Sequence, residues 1–352
     1  MSHTISVGIL GYGLAGSTFH APLIGAEPRL KIQAIASSRS AEISRSFPDA
    51  VIHTSAQSLI DDPDIDLVVV ATPDATHAPL AKAALLAGKH VVVDKPFGTS
   101  SAEASAMMAL ARESKRVLTV FHNRRWDGDF MTVAAVVRSG RLGEIRLACL
   151  SWDRFRPSVV PGWREQSTDS WGALLNLGPH LMDQALLLFG RPTAIASDLA
   201  IQRTQARSPD YFAMTLYYGS LRVLLSVSSL VADARARFAI HGTRGSFVKY
   251  GIDPQEEQLR RGFSVDSKDF GADPESLYGL LTTIDAAAQL IPTQQGDWRQ
   301  FYSRVAAAIA DGTPPPVDPA DALDGIELLE LGRRCAVEGH TLPVTIKPTR
   351  AG

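Results

Sequence analysis

The sequence predicts a two-domain α/β protein whose first domain is a doubly wound parallel sheet. Three observations carry that expectation. Short apolar strands alternate with helical stretches through the first third of the chain. A glycine run, GYGLAG at 11–16, joins the first strand directly to the first helix. The length, 352 residues, is enough for two hydrophobic cores.

The strands come first. TISVGIL, KIQAIAS, LVVVAT, HVVVD and VLTVF are nearly continuous, β-branched apolar runs, as parallel strands covered on both faces require. Between them, helices are expected near 14–26, 75–87 and 100–113, where Ala, Leu and Met dominate. The character changes after about residue 125, which divides the chain into a nucleotide-type domain at 1–123 and a second domain at 124–352. A helix near 128–139 stops at Ser139-Gly140, and a strand-like run follows at 145–153. Proline is tolerated in a helix's first turn, so LMDQALLLF is expected to begin near His180, with that histidine at the helix mouth. From 193 to 250 the chain reads as a meander. FAMTLYY and LRVLLSVSSL turn about Gly219-Ser220, and RFAIH and SFVKY turn about Gly-Thr-Arg-Gly. In LRVLLSV, the face carrying Arg222, Leu224 and Ser226 is less apolar than the face carrying Leu221, Val223, Leu225 and Val227. That first face is left for solvent, substrate or another subunit. TPPPV at 313–317 rigidly joins helices at 297–310 and 319–338.

Composition excludes several classes. Hydrophobic residues are 45% and charged residues 20%, with a formal net charge of −2 and no basic stripe, so no nucleic-acid partner is expected. No apolar run approaches the ~20 residues that span a bilayer, so no membrane association is expected. The opening MSHTISVGIL lacks the basic n-region of a secretory leader. Cys149 and Cys335 lie far apart and read as buried, reduced thiols, which points to the cytoplasm. With no HxxxH, HExxH or CxxC pattern, no metal site is expected.

The chemistry concentrates in a few short stretches. Gly11, Gly13 and Gly16 have the spacing of a dinucleotide loop, with Leu14 and Ala15 at the helix entry beside the pyrophosphate. An acidic residue about 20 positions further on would bind the ribose of NAD. Ser37, Ser38 and Arg39 stand there instead, and hydroxyls with a guanidinium suit a 2′-phosphate, so NADP is expected, with NAD the alternative. Lys95 follows the fifth strand at its carboxyl end, where a cation can stabilise a developing alkoxide. Polar and aromatic residues suited to a sugar-like ligand gather at Asn123, Arg124 and Trp126, with His122 and Arg125 beside them. A second group is Asp153, Arg154 and Arg156, and a third is Trp163 with Arg164.

Read together, GYGLAGSTFHAPL, ATPDATHAPLAKAALLAGKH, VVVDKPFG, FHNRRWD, LGPHLMDQ and HGTRGSFVKYGIDPQE resemble the Gfo/Idh/MocA family of oxidoreductases over nearly the whole chain. The resemblance is to the branch containing NADP-dependent scyllo-inositol dehydrogenases. It implies an N-terminal Rossmann domain and a C-terminal α/β domain on a large open, mostly antiparallel sheet. Substrate binding and assembly into dimers or tetramers would fall to that second domain. It further implies hydride transfer between nicotinamide and a secondary alcohol or ketone of a cyclic polyol or sugar, inositol-like or aldose-like. Lys95 matches the family's E/D-K-P lysine near the nicotinamide, and Thr72, Pro73 and His77 match a loop lining the cofactor. His180 matches the catalytic histidine, whose imidazole can give and take a proton near neutrality. Relatives commonly carry aspartate where this chain has Asn176, and an amide can orient a hydroxyl but carries no charge. The resemblance leaves a rival to a simple dehydrogenase, a glycoside-cleaving member that recycles its cofactor, and the Asn176 departure alone adds a second, a catalytically impaired NADP-binding sensor.

Overall fold

A computed structural model describes residues 4–159 and 171–345 of the chain. The first sheet contains β1 (Ile5–Leu10), β2 (Leu30–Ala36), β3 (Val51–His53), β4 (Leu67–Val70), β5 (His90–Val93) and β6 (Leu118–Val120). All pairs are parallel, in the order β3-β2-β1-β4-β5-β6. This is the Rossmann order, and it reverses between β1 and β4. A crevice therefore opens at the carboxyl ends of the strands. The central strands β4 and β5 are almost wholly buried because helices such as His77–Leu86 and Ser101–Ser114 cover the sheet, whereas β3 at its edge is not. Trp298, Phe301, Tyr302 and Ile326 join this same core, so late parts of the chain complete the first domain.

The second sheet is built from β7 (Ile145–Asp153), β8 (Ala194–Ala200), β9 (Tyr211–Tyr218), β10 (Leu221–Ser228), β11 (Phe238–Gly242) and β12 (Gly245–Lys249). To these it adds β13 (Gly279–Thr283), β14 (Ala286–Ile291) and β15 (Leu342–Pro343). Its order is β14-β13-β12-β11-β7-β10-β9-β8-β15. Every pair is antiparallel except β7 with β10, so the sheet is mixed and mostly antiparallel. Both hairpins foreseen at Gly219-Ser220 and Gly-Thr-Arg-Gly are present. Helices Ala173–Phe189 and Pro319–Glu338 pack on the inner face, against Val223, Leu225 and Phe247 among others.

Two expectations are corrected. The helix carrying His180 begins at Ala173, not at His180, and Pro179 lies inside it. An internal proline costs about 3 kcal/mol. Leu174, Leu175, Leu177, Leu181 and Met182 are all buried, and each fully buried side chain contributes roughly 1.5–3 kcal/mol. Burial wins, and His180 sits in mid-helix, one turn beyond Asn176. Cys149 also differs from expectation: it is half-buried, while Cys335 is buried, and both are free thiols.

Candidate active site

A cleft of about 680 Å³ lies where the carboxyl ends of the parallel strands face the second sheet. Its size is ordinary for a small-molecule site. One half is made by the first βα turn. Gly11 adopts φ +91°, and a Cβ there would meet the Ala71 carbonyl oxygen at 2.6 Å. At Gly16 a Cβ would meet the Gly11 oxygen at 2.0 Å, so this glycine packs helix against strand and does not itself line the cleft. A Cβ on Gly13 would meet nothing within 4 Å. Of the three, this is the position left open for a ligand's close approach. Leu14 and Ala15 line the cleft beside it, as do Thr72 and Pro73 at the end of β4. Ser37, Ser38 and Arg39 line the far end, with Arg39 exposed and 3.6 Å from Glu42. This glycine cradle and its donors fit a dinucleotide.

His77 is placed differently from the expectation that it contacts cofactor. It is fully buried and absent from the lining among the described residues. Its ring nitrogens lie 2.7 Å from the Pro96 carbonyl and 2.9 Å from the Thr72 carbonyl. The side chain thus ties the β4 loop to the β5 loop from behind. Between those loops, Lys95 precedes a cis peptide to Pro96 and lines the cleft. The Lys95 ammonium donates to the main-chain oxygen of Asn176 at 2.9 Å and to its side-chain oxygen at 3.1 Å. Asp94 accepts from the Lys95 amide at 2.7 Å. Burial opposes charge on Asp94, but His20, Lys95 and His77 outweigh it and hold the carboxyl down to about 2.

His180 lines the same cleft on the second domain's side. Its Nδ1 is buried without a hydrogen-bond partner among the described residues, and its ring lies 5.9 Å from that of Trp152. Guanidinium groups of Arg124 and Arg237 cover Trp152 at 4.8 and 4.7 Å. Burial pushes the His180 pKa well below its ordinary value, and Lys95, Arg124, His122 and Arg237 push it the same way. The imidazole is neutral at pH 7, ready to accept a proton and a weak holder of one.

The anticipated substrate residues divide. Asn123, Arg124 and Arg154 line the cleft. Arg124 is already committed, paired with Asp127 at 3.4 Å and with Glu256, and stacked between Trp152 and Trp298. Trp126 and Asp153 are absent from the described lining, which corrects the expectation for both. Trp126 is turned into the core, 6.0 Å from the Phe301 ring. Asp153 points the other way from Trp152, as strand alternation demands, and pairs with Arg235 at 2.6 Å. Trp163, with Arg164, lies outside the described residues. The sequence reading missed Arg203, Asp210, Glu256 and Arg260, which also line the cleft. Only tertiary folding brings them there; Glu256 closes the HGTRGSFVKYGIDPQE stretch, and no local motif marks the other three.

Comparisons with known proteins agree with this two-domain fold. Residues 5–122 match the model of the oxidoreductase family's NAD-binding Rossmann fold, and residues 134–346 match its C-terminal alpha/beta domain. The chain is 43% identical to the uncharacterized oxidoreductase YdgJ of Escherichia coli, covering 97% of this chain and 99% of that one. It is 40% identical to scyllo-inositol 2-dehydrogenase (NADP(+)) IolW of Bacillus subtilis, covering 96% of each. Among solved structures, an oxidoreductase from Bacillus cereus superposes with a TM-score of 0.89 at 32% identity, covering 98% of this chain and 99% of that one.

Proposed function

The chain belongs to the Gfo/Idh/MocA oxidoreductase family, and on that premise we propose that it is an NADP-dependent dehydrogenase or reductase of a cyclic polyol or sugar. The observation that carries this reading is convergence: Lys95, Asn176 and His180 line one cleft with the glycine loop and with Arg39. The similarity to an NADP-dependent inositol dehydrogenase supports the substrate class and the cofactor.

When bound, the nicotinamide supplies or accepts the hydride at the substrate carbon. The chain's own residues handle the rest. His180, neutral in the resting site, takes the proton from the substrate hydroxyl during oxidation and returns it during reduction. The Lys95 ammonium stabilises the oxygen as negative charge develops on it. Asn176 fixes the direction of that ammonium by accepting from it twice. Ser37, Ser38 and Arg39 hold the 2′-phosphate, which a guanidinium can grip with two parallel hydrogen bonds.

We further propose that the protein works in the cytoplasm as a homodimer or homotetramer. Leu147, Leu224, Leu280 and Leu290 are exposed, and the strand register sets them on one face of the second sheet. Burying such a face against a second copy would remove it from water. The test of function uses nucleotide-free protein with NADP or NAD and a panel of inositols and sugars, followed by the absorbance of reduced nicotinamide. Steady reduction with NADP supports the reading, and none across a panel that includes the acid and phosphate derivatives of these compounds overturns it. Product formed without net reduction would assign the recycled-cofactor chemistry instead.

A further inference from the structure

Beyond β7 the chain keeps its strand-like alternation. The Arg154 amide donates to the Ser228 carbonyl at 2.9 Å, the Arg156 amide donates to the Ser229 carbonyl at 2.8 Å, and Phe155 bridges Leu230. Period-two geometry therefore turns half-buried Arg154 and exposed Arg156 to the side of Trp152, while Phe155 points to the opposite side, 58% exposed. Both arginines line the cleft that holds His180 and Lys95.

These two guanidiniums lack a fixed anion among the described residues. The nearby carboxylates are committed elsewhere. Glu256 accepts from Arg124 and from Arg260, the latter at 2.9 Å. Asp210 accepts from Arg203 at 2.8 Å and from two backbone amides. Arg154 is half-buried, and its side chain forms no hydrogen bond or ion pair with another described residue. Burial, Arg156, Arg124 and Arg260 push its pKa down to about 10, with Glu256 opposing. A cation kept half out of water beside like charges is costly unless a ligand completes it. The cofactor's own phosphates are provided for by the glycine loop and by Ser37, Ser38 and Arg39 on the other domain.

We propose that Arg154, with Arg156 beside it, binds an anionic substituent of the substrate, a carboxylate or a phosphate, so that the preferred substrate is a sugar acid or a sugar phosphate. This rests on the oxidoreductase reading above and narrows its substrate class. The planar guanidinium matches either oxyanion bidentately, which a lysine cannot do.

The experiment compares matched pairs with NADP-loaded protein: glucose with glucuronate and with glucose 6-phosphate, and myo-inositol with an inositol monophosphate. Turnover is followed by nicotinamide absorbance, and binding to the NADPH-loaded protein by calorimetry. The charged member of at least one pair is expected to have a kcat/KM roughly tenfold or more above the neutral one, with KM rising as salt is added. Which charged member wins separates carboxylate from phosphate. In Arg154→Gln the charged-to-neutral ratio should fall by roughly tenfold or more, and Arg154→Lys should recover only part of it. Equal or better turnover of the neutral members overturns the anionic site while leaving the oxidoreductase reading intact. Arg154-dependent binding of a charged member without any turnover does the reverse. A weakened NADP affinity in Arg154→Gln, with the substrate ratio unchanged, would assign the arginine to the cofactor and overturn the proposal. No turnover and no binding of any member would overturn both.

Discussion

The Lys95 ammonium is anchored by Asn176 across a separation of 81 residues, through 2.9 and 3.1 Å hydrogen bonds to its main-chain and side-chain oxygens. This contact joins the end of β5 in the first domain to the buried helix of the second. It also explains what an amide does at this position. Asn176 aims a cation, and it does so without neutralising it. Its two oxygens accept from Lys95, and His180 Nδ1 has no tautomer-fixing partner among the described residues. The histidine is set by packing against Trp152 instead.

Replacing Lys95 by Met should therefore remove charge stabilisation and the interdomain anchor together. A fall in kcat of roughly 10²–10³-fold is expected, the magnitude seen when one donor to a developing oxyanion is lost. Steady-state rates for wild type and K95M measure it. A variant within threefold of wild type would remove Lys95 from the proposed chemistry.

The depressed His180 pKa predicts the shape of the pH profile. Oxidation needs the neutral ring, so kcat/KM should stay level as pH falls through about 6.5 and drop only well below it. The sign for stability follows. Between the lowered folded pKa and the unfolded value near 6.5, the unfolded chain binds the extra proton, so this residue favours unfolding as pH falls through that window. His180→Asn should lower kcat by about 10²–10⁴-fold and abolish the limb. An acid limb retained in that variant would assign it to another group.

The glycine loop predicts two different failures. A methyl at Gly16 has no room beside the Gly11 carbonyl, so Gly16→Ala should lower the Tm even without nucleotide. The same methyl at Gly13 meets only open space, so Gly13→Ala should fold with an unchanged Tm yet bind NADP at least about tenfold more weakly. Thermal scans with and without nucleotide distinguish the two. Equal loss of Tm in both would mean that Gly13 serves packing, not the ligand.

Arg39 should carry the choice between phosphorylated and unphosphorylated ribose. Exposed, with its guanidinium 3.6 Å from Glu42, it can swing onto a 2′-phosphate at little cost. Arg39→Ala is expected to lower the ratio of kcat/KM for NADP over NAD by roughly tenfold, since charge-assisted hydrogen bonds are among the strong ones. A ratio unmoved by the substitution would place cofactor choice elsewhere.

Much of the fold was legible in the sequence, for reasons that individual residues make plain. The parallel strands of the first domain were readable because burial on both faces leaves an unbroken apolar run, as in Leu67–Val70. β14 was not, because its Ala286, Ala287 and Ala288 favour helix locally and its residues are exposed at the sheet edge. Pro179 misplaced the helix start because burial outweighed a local rule. In the site, the family resemblance of VVVDKPFG and LGPHLMDQ marks Lys95 and His180, but the partner of Asn176 is a contact between distant segments. Trp126 and Asp153 were placed in the site by proximity in sequence. Side-chain direction decided otherwise, and for Asp153 strand alternation beside an inward Trp152 could have shown it.

Asn176→Asp puts the electrostatics of the site to a direct test. Residues 176 and 180 are one helical turn apart, roughly 5–6 Å between Cβ atoms, so a carboxylate at 176 would face both the Lys95 ammonium and the imidazole. An opposite charge at that range raises a histidine pKa by about 1–3 units, and the acid limb of kcat/KM should move up in pH by about that amount. The same carboxylate would neutralise Lys95, so the plateau should not rise in proportion as the base strengthens. The two effects separate in the data, because one moves the limb and the other moves the height of the profile. Rates of wild type and N176D measured across pH 4–9 read both. A profile with an unmoved limb would mean that Asn176 and His180 are not electrostatically linked, and the proposed division of labour between amide and imidazole would have to be abandoned.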